Sequence, residues 1–109
     1  MEEALNPAEL RGLAAEILSE NDREGRYTIP TKGLYPFQWN WDSCLTALGW
    51  MYLDEDRAWR EIETLFEHQW PDGMVPHIVF HQPDDGYFPG PEVWSTGRSV
   101  ATSGITQPP

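Results

Sequence analysis

The sequence predicts an all-α fold made of a few helices and long loops rich in proline, glycine and aromatic residues. In three segments before position 70, apolar residues recur at steps of three and four, which is the spacing of helices that bury one face. Beyond Trp70 this spacing disappears, and seven prolines fall within the last 39 residues. Such a composition favours loops over regular structure.

The first predicted helix begins at Asn6. Asn6 can cap the helix, Pro7 suits its first position, and Glu9 can reach back to close a capping box. The helix is expected to end near Asn21–Asp22, and residues 23–37 then read as a loop. Its apolar stripe consists of Leu10, Leu13, Ala14, Ile17 and Leu18.

Two further helices are predicted close together in the chain. The first starts at Asp42 or Ser43, either of which could cap it, and reads as a buried helix on which Cys44 is a small core residue. The next starts at the acidic run 54–56 and stops before Pro71. Its expected stripe is Ala58, Trp59, Ile62, Leu65 and Phe66. The short connection predicts an αα-hairpin, whose outer apolar surface still needs a partner.

The segment Met74–Phe80 is the one extended stretch that the sequence predicts. Pro76 lacks a backbone N–H, so we expect it to keep this stretch from being a central strand. At the end of the chain, Thr106–Pro108 is the kind of pattern that opens a helix, so we expect the polypeptide to continue beyond Pro109.

Composition excludes several classes of function. A net charge of −11 repels nucleic acid and anionic lipid, and the sequence contains no apolar run that could span a membrane and no secretion signal. We therefore expect a cytoplasmic protein with no nucleic-acid or membrane partner. The sequence contains no phosphate-binding glycine loop, so no cofactor is predicted. His77 and His81 lack a third ligand, so no metal site is predicted.

The 14 aromatic residues of this acidic chain suggest a saccharide cleft. Tryptophan and tyrosine rings cover the apolar faces of sugars, while carboxylates and amides bind the hydroxyl groups. Residues 35–42 combine both kinds of side chain. An alternative remains open from composition alone: Trp39 and Trp41 could simply pack against neighbouring helices while Asp42 caps its own helix.

Four phrases of the sequence resemble motifs of one family of bacterial glycoside hydrolases. They are YPFQWNWDS (35–43), QWPDGMVPHIVF (69–80), GYFPGP (86–91) and TSGITQPP (102–109). In content and order they look like the branch that holds mannosylglycerate and glucosylglycerate hydrolases, which is related to the family 63 glucosidases. The resemblance covers most of residues 34–109.

This resemblance implies an incomplete (α/α)6 barrel, with residues 1–109 forming its N-terminal part. It implies a small α-glycoside as substrate. By similarity, Asp42 and Trp41 would line the subsite of the glycosyl unit with Trp39 nearby. The remaining binding residues, which would hold that unit or its acidic aglycone, are Tyr35, Tyr87 and Gln107.

The family is expected to invert configuration by means of one carboxylic acid and one distant carboxylate. The resemblance places both downstream of residue 109, so residues 1–109 contain no predicted catalytic residue. The chain alone is then expected to be inactive and to depend on a downstream polypeptide that completes the barrel. Two alternatives stay open: a stand-alone carbohydrate-binding or interaction module, and an inactive product of a truncated gene.

Overall fold

The computed structural model describes residues 4–107, and within them the chain forms four helices and four short strands. In chain order these are α1 (Pro7–Asn21), β1 (Asp22–Arg23), β2 (Tyr27–Thr28), β3 (Gln38–Trp39), α2 (Asn40–Met51), α3 (Glu55–Phe66), β4 (Ile78–Val79) and α4 (Pro91–Trp94). The predicted all-α class is therefore wrong in one respect, because the fold is helix-rich with short strands. The helix expected at Thr106–Pro108 extends outside the described residues.

Helix α1 confirms its prediction at both ends. The Glu9 N–H donates to Asn6 Oδ1 at 2.9 Å and the Asn6 N–H donates to Glu9 Oε2 at 3.2 Å, which completes the capping box. Asn21 is the last helical residue. None of the helix's residues is buried, however, and Leu10, Leu13 and Ile17 of its apolar stripe are exposed. No helix within residues 4–107 has the length and apolar content needed to cross a bilayer.

Helix α2 begins at Asn40, two or three residues earlier than the predicted start at Asp42 or Ser43. Strand β3 leads directly into it, and the Asn40 N–H donates to the carbonyl of His77 at 2.9 Å. Because this long-range bond takes the place of a side-chain cap, neither Asp42 nor Ser43 is needed as the N-cap. Asp42 instead occupies the first turn, where the helix dipole favours a negative charge.

Helices α2 and α3 pack against each other as the predicted hairpin, with Asp54 capping α3 through the N–H of Arg57. The buried faces differ from the expected ones. Cys44 is exposed rather than part of a core, and Trp59 is also exposed. Helix α3 turns a largely polar face inward: Arg57, Ala58, Glu61, Thr64 and Leu65. Apolar periodicity could not reveal this face, since its polar members are buried against polar partners.

The strands form two small antiparallel pairs. In the first, β1 pairs with β2 across a turn where Glu24 and Gly25 both have positive φ. In the second, Gln38 pairs with Val79 and Trp39 with Ile78. Thr102 pairs with the other side of Val79, so β4 is central after all. Pro76 does not prevent this, because it lies two residues before the strand begins.

The main hydrophobic cluster lies on the β3–β4 ribbon and not between the helices. Its buried members are Phe37, Trp39, Ile78 and Phe80, with Tyr87, Trp94 and Ala101 packed around them. Phe37 and Phe80 meet edge to face with ring centroids 4.7 Å apart. This cluster fixes the ribbon and with it the position of Trp39.

Outward-facing apolar residues of the hairpin predict self-association of residues 1–109. Leu48 is 63% exposed, whereas the adjacent Ala47 is 7% exposed. We expect Leu48→Glu to reduce light scattering by residues 1–109 and to leave the thermal unfolding midpoint nearly unchanged. Ala47→Glu, the matched control, buries an unpaired charge and should abolish the transition. A wild-type fragment that is monodisperse in light scattering would contradict the prediction.

Candidate functional site

Four of the six predicted binding residues line one cavity. The cavity has a volume of about 250 Å³, and its walls are Pro30, Tyr35, Trp39, Asp42 and Gln107. These residues come from a loop, a strand end, the first turn of a helix and a segment more than 60 residues later. Tertiary folding therefore brings aromatic rings, an amide and a carboxylate together around one space, as the prediction of a saccharide cleft requires.

A larger cavity of about 430 Å³ lies elsewhere, lined by Glu67, His68 and residues 96–100. It contains none of the predicted site residues and no tyrosine or tryptophan in its wall. Of these two cavities, the smaller one therefore has the rings that could stack on a sugar, and we treat it as the candidate site.

Strand β3 and helix α2 hold Trp39 and Asp42 in the cavity wall. Trp39 ends the strand and is almost fully buried, and the Tyr35 ring meets it edge to face at 5.5 Å. Asp42 follows three residues later on the first turn of α2. Trp39 thus belongs both to the hydrophobic cluster and to the cavity, so its packing role and its proposed binding role are compatible.

Gln107 is linked to the same turn from the far end of the chain. The backbone N–H of Trp41 donates to Gln107 Oε1 at 3.3 Å. This bond satisfies one of the free amides at the start of α2 and directs the Gln107 side chain to the cavity. Its partner Trp41 is 52% exposed and does not line the cavity. Of these two adjacent residues, Asp42 alone lines the cavity.

Tyr87 lies behind the cavity rather than in its wall. Its ring is 5.1 Å from that of Trp39 and 6.0 Å from that of Tyr35. It therefore supports the two rings that face the cavity. The structure brings Tyr87 to the site as a packing partner of Trp39 and Tyr35, and Tyr87 is not among the residues that line this cavity.

Burial raises the pKa of Asp42 above its ordinary value of 3.8, and the nearby His77 opposes this shift. Both oxygens of a carboxyl group accept hydrogen bonds from sugar hydroxyl groups only when the group is ionised. We therefore expect ligand affinity to fall as the pH is lowered through the pKa of Asp42, with a midpoint above 3.8. Calorimetric titration at several pH values would measure this midpoint. Asp42→Asn should remove the acid limb, and a limb that persists in that variant would assign it to another group.

The two histidines considered as metal ligands have separate surroundings. The His81 ring stacks on Tyr27 at 4.0 Å, and its Nε2 donates to Gln38 Oε1 at 2.7 Å. Burial lowers the pKa of His81 to about 3, so the ring is neutral. His77 is half-buried and has Asp42 as its electrostatic partner. In residues 4–107 no three His, Cys, Asp or Glu side chains come together as a metal site.

Sequence reasoning missed a buried polar cluster beneath the cavity. Glu61 on α3 has no exposed surface, and its carboxylate accepts hydrogen bonds from Thr28, Gln38 and Ser43. Arg57 lies one turn earlier and forms an ion pair with it. The only available signal was the i, i+4 spacing of Arg57 and Glu61, which is equally typical of an exposed helix surface.

Comparison with known proteins identifies relatives that match most of the chain. Residues 35–109 match the family described as the mannosylglycerate hydrolase MGH1-like glycoside hydrolase domain. Mannosylglycerate hydrolase MGH1 of Selaginella moellendorffii is 61% identical over 95 residues, covering 86% of this chain and 19% of its own. Glucosylglycerate hydrolase of Mycolicibacterium hassiacum is 44% identical over 113 residues, covering 97% of this chain and 25% of its own.

A solved structure shows the same fold in its matched part. The GH63 mannosylglycerate hydrolase of Thermus thermophilus, crystallised with Tris and D-glycerate, superposes with a TM-score of 0.84 at 55% identity. The match covers 91% of this chain and 23% of that one. The chain thus spans about a fifth to a quarter of the length of the relatives that it matches. On this evidence the chain belongs to the MGH1-like family of glycoside hydrolase domains.

Proposed function

We propose that this chain forms the sugar-binding wall of an inverting hydrolase that acts on mannosylglycerate, glucosylglycerate or a similar small α-glycoside. The observation that carries the proposal is the cavity in which Asp42 lies with Tyr35, Trp39 and Gln107. Support for the substrate class comes from the names of the relatives, which are mannosylglycerate and glucosylglycerate hydrolases.

Each wall residue suits a part of a sugar. The Tyr35 ring is 43% exposed and offers apolar surface for C–H groups, with the nearly buried Trp39 beside it. The Gln107 amide can both donate to and accept from hydroxyls. The Asp42 carboxylate can accept hydrogen bonds from two hydroxyl groups at once, and these charge-assisted bonds are stronger than neutral ones. Bonds that strengthen as the ring flattens toward the transition state contribute to rate and not only to binding.

We propose that the general acid and the general base come from polypeptide outside residues 1–109. Among residues 4–107, Asp42 is the one carboxylate in the cavity wall, whereas an inverting reaction needs two carboxyl groups about 6.5–9.5 Å apart on opposite sides of the bond. The relatives are four to five times longer than this chain, which leaves room for further helical hairpins. In an (α/α)6 barrel those hairpins would cover the exposed apolar faces of α1, α2 and α3.

A carbohydrate-binding role without catalysis is the second candidate. It is favoured by the same observation that the described part of the chain places a single carboxylate in the cavity wall. Residues 1–109 that fold alone and bind a sugar, in a protein that hydrolyses no glycoside, would support this candidate over the first.

Hydrolysis by the full-length protein tests the proposal. Mannosylglycerate and glucosylglycerate are incubated with it, and proton NMR follows the anomeric signal of the released sugar. An inverting enzyme releases the β-anomer first from an α-glycoside. First release of the α-anomer would refute inversion, and no hydrolysis of either substrate would refute the enzyme. Residues 1–109 alone should show no turnover.

A further inference from the structure

The Glu61 carboxylate gathers hydrogen bonds from three separate segments of the chain. Oε2 accepts from the Thr28 N–H at 3.0 Å, from the Ser43 hydroxyl at 2.6 Å and from the Gln38 amide at 3.3 Å. Oε1 accepts from the Thr28 hydroxyl at 2.6 Å. Glu61 itself has no exposed surface and does not line the cavity.

Each of these segments continues directly into the cavity wall. Gln38 precedes Trp39, Ser43 follows Asp42, and Thr28 lies two residues before Pro30. A single carboxylate thus ties strand β2, strand β3 and the first turn of α2 to α3. Glu61 therefore holds segments that adjoin both Trp39 and the Asp42 carboxylate.

An amide in place of this carboxylate cannot satisfy the same partners. At the Oε2 position an NH₂ group would face the Thr28 N–H and the Gln38 amide, which are both donors. At the Oε1 position it would face the Arg57 guanidinium, which lies 3.2 Å from Oε1. Glu61→Gln therefore retains volume but breaks the cluster, because donors would meet donors.

We propose that Glu61 is a positioning residue that sets the spacing of Trp39 and Asp42 for the sugar. This inference rests on the proposed function. A displacement of about 1 Å at a catalytic site can lower the rate about a hundredfold. Hydrogen bonds that hold both Gln38 and Ser43 are therefore expected to affect turnover. Glu61 acts through Gln38 and Ser43 and does not touch the substrate.

The test uses Glu61→Gln in the full-length protein, with Thr64→Val as the matched control. Thr64 is equally buried on α3, but its hydroxyl lies within hydrogen-bond distance of the carbonyls of Arg26 and Arg60 only. It therefore reaches the residue before β2 but no residue of β3 or α2. We expect Glu61→Gln to lower kcat/KM for mannosylglycerate by about a hundredfold, and Thr64→Val to change it by only a few-fold. Equal losses in the two variants would overturn the proposal, since both would then act through general stability.

A double-mutant cycle separates positioning from a structural role. In an Asp42→Asn background, the further change Glu61→Gln should cost much less than it does alone, since Asp42 no longer makes the bonds that Glu61 orients. Additive losses would overturn the proposal. If Glu61→Gln does not fold, Ser43→Ala removes the hydrogen bond from the Ser43 hydroxyl to Glu61 and replaces Glu61→Gln in the same cycle.

A crystal structure of the Glu61→Gln variant separates this inference from the proposed function. We expect the Trp39 and Asp42 side chains to shift relative to each other by about 1 Å, the scale that matters for catalysis. Unmoved side chains would overturn the positioning role even in an active enzyme. Shifted side chains in a protein that hydrolyses neither glycoside would refute the proposed function alone.

Discussion

Asp42→Asn should lower kcat/KM of the full-length protein for mannosylglycerate by about a hundredfold or more. A hydrogen bond to a charged group contributes about 1.5–3 kcal/mol, and each 1.4 kcal/mol is tenfold in rate. Asparagine keeps the shape of the side chain but loses the charge and turns one acceptor into a donor. Losing two such bonds to the sugar therefore accounts for the expected fall, which steady-state kinetics would measure.

Asp72→Asn is the matched control for this substitution. Asp72 is exposed in a turn, where its Oδ1 accepts from the Met74 N–H at 3.0 Å. The asparagine oxygen can accept the same bond, so activity should stay at the wild-type value. If both variants lost activity to the same degree, Asp42 would have no special role in the cavity.

Arg57→Met should destabilise the protein by about 3–5 kcal/mol, the usual cost of removing one partner of a buried ion pair. Arg57 is buried, and it pairs with Asp22 at 2.6 Å as well as with Glu61. Methionine replaces the aliphatic stem but leaves the Glu61 carboxylate buried without its counter-charge. Urea unfolding, followed by tryptophan fluorescence, would report the change in the free energy of unfolding.

Arg60→Met provides the same substitution three residues later on α3. Arg60 faces solvent, where its ion pairs with Glu63 and Glu67 are screened by water. We expect its unfolding midpoint to stay close to that of the wild type. A similar loss in both variants would show that the helix loses stability through propensity or stem packing and not through the buried charge.

Local signals in the sequence predicted α1, α2 and α3 but not the four-residue helix α4. The Asn6 cap with Glu9, the end of α1 at Asn21 and the start of α3 at the acidic run 54–56 depend on residues a few positions apart, so they can be read directly. Strand β4 lies inside the predicted extended stretch Met74–Phe80, but β1, β2 and β3 were missed for the opposite reason. Each is two residues long, too short for an alternating pattern, and Gln38–Trp39 exists only through pairing with Ile78–Val79.

The sequence indicated residues of the candidate site but not how they are arranged in space. The motif resemblance selected Tyr35, Trp39, Asp42 and Gln107, which the structure brings to one cavity. It did not distinguish them from Trp41, whose side chain lies outside the cavity wall although it is adjacent to Asp42. Neighbouring residues of a helix point in directions about 100° apart, so adjacency in a motif does not mean a shared face.

By itself the sequence determined the order of α1, α2 and α3, both ends of α1, the family of the chain and four of the five residues that line the cavity. Those features follow from short-range capping, periodicity and motif content. Only the tertiary structure decided that α3 turns a polar face inward, that Glu61 joins the segments behind the cavity and that Ile78–Val79 is a central strand. Each of these features depends on partners that lie 18 to 41 residues apart in the sequence and meet only when the chain folds. A polar group can be buried without a large energetic cost only once those partners are in place.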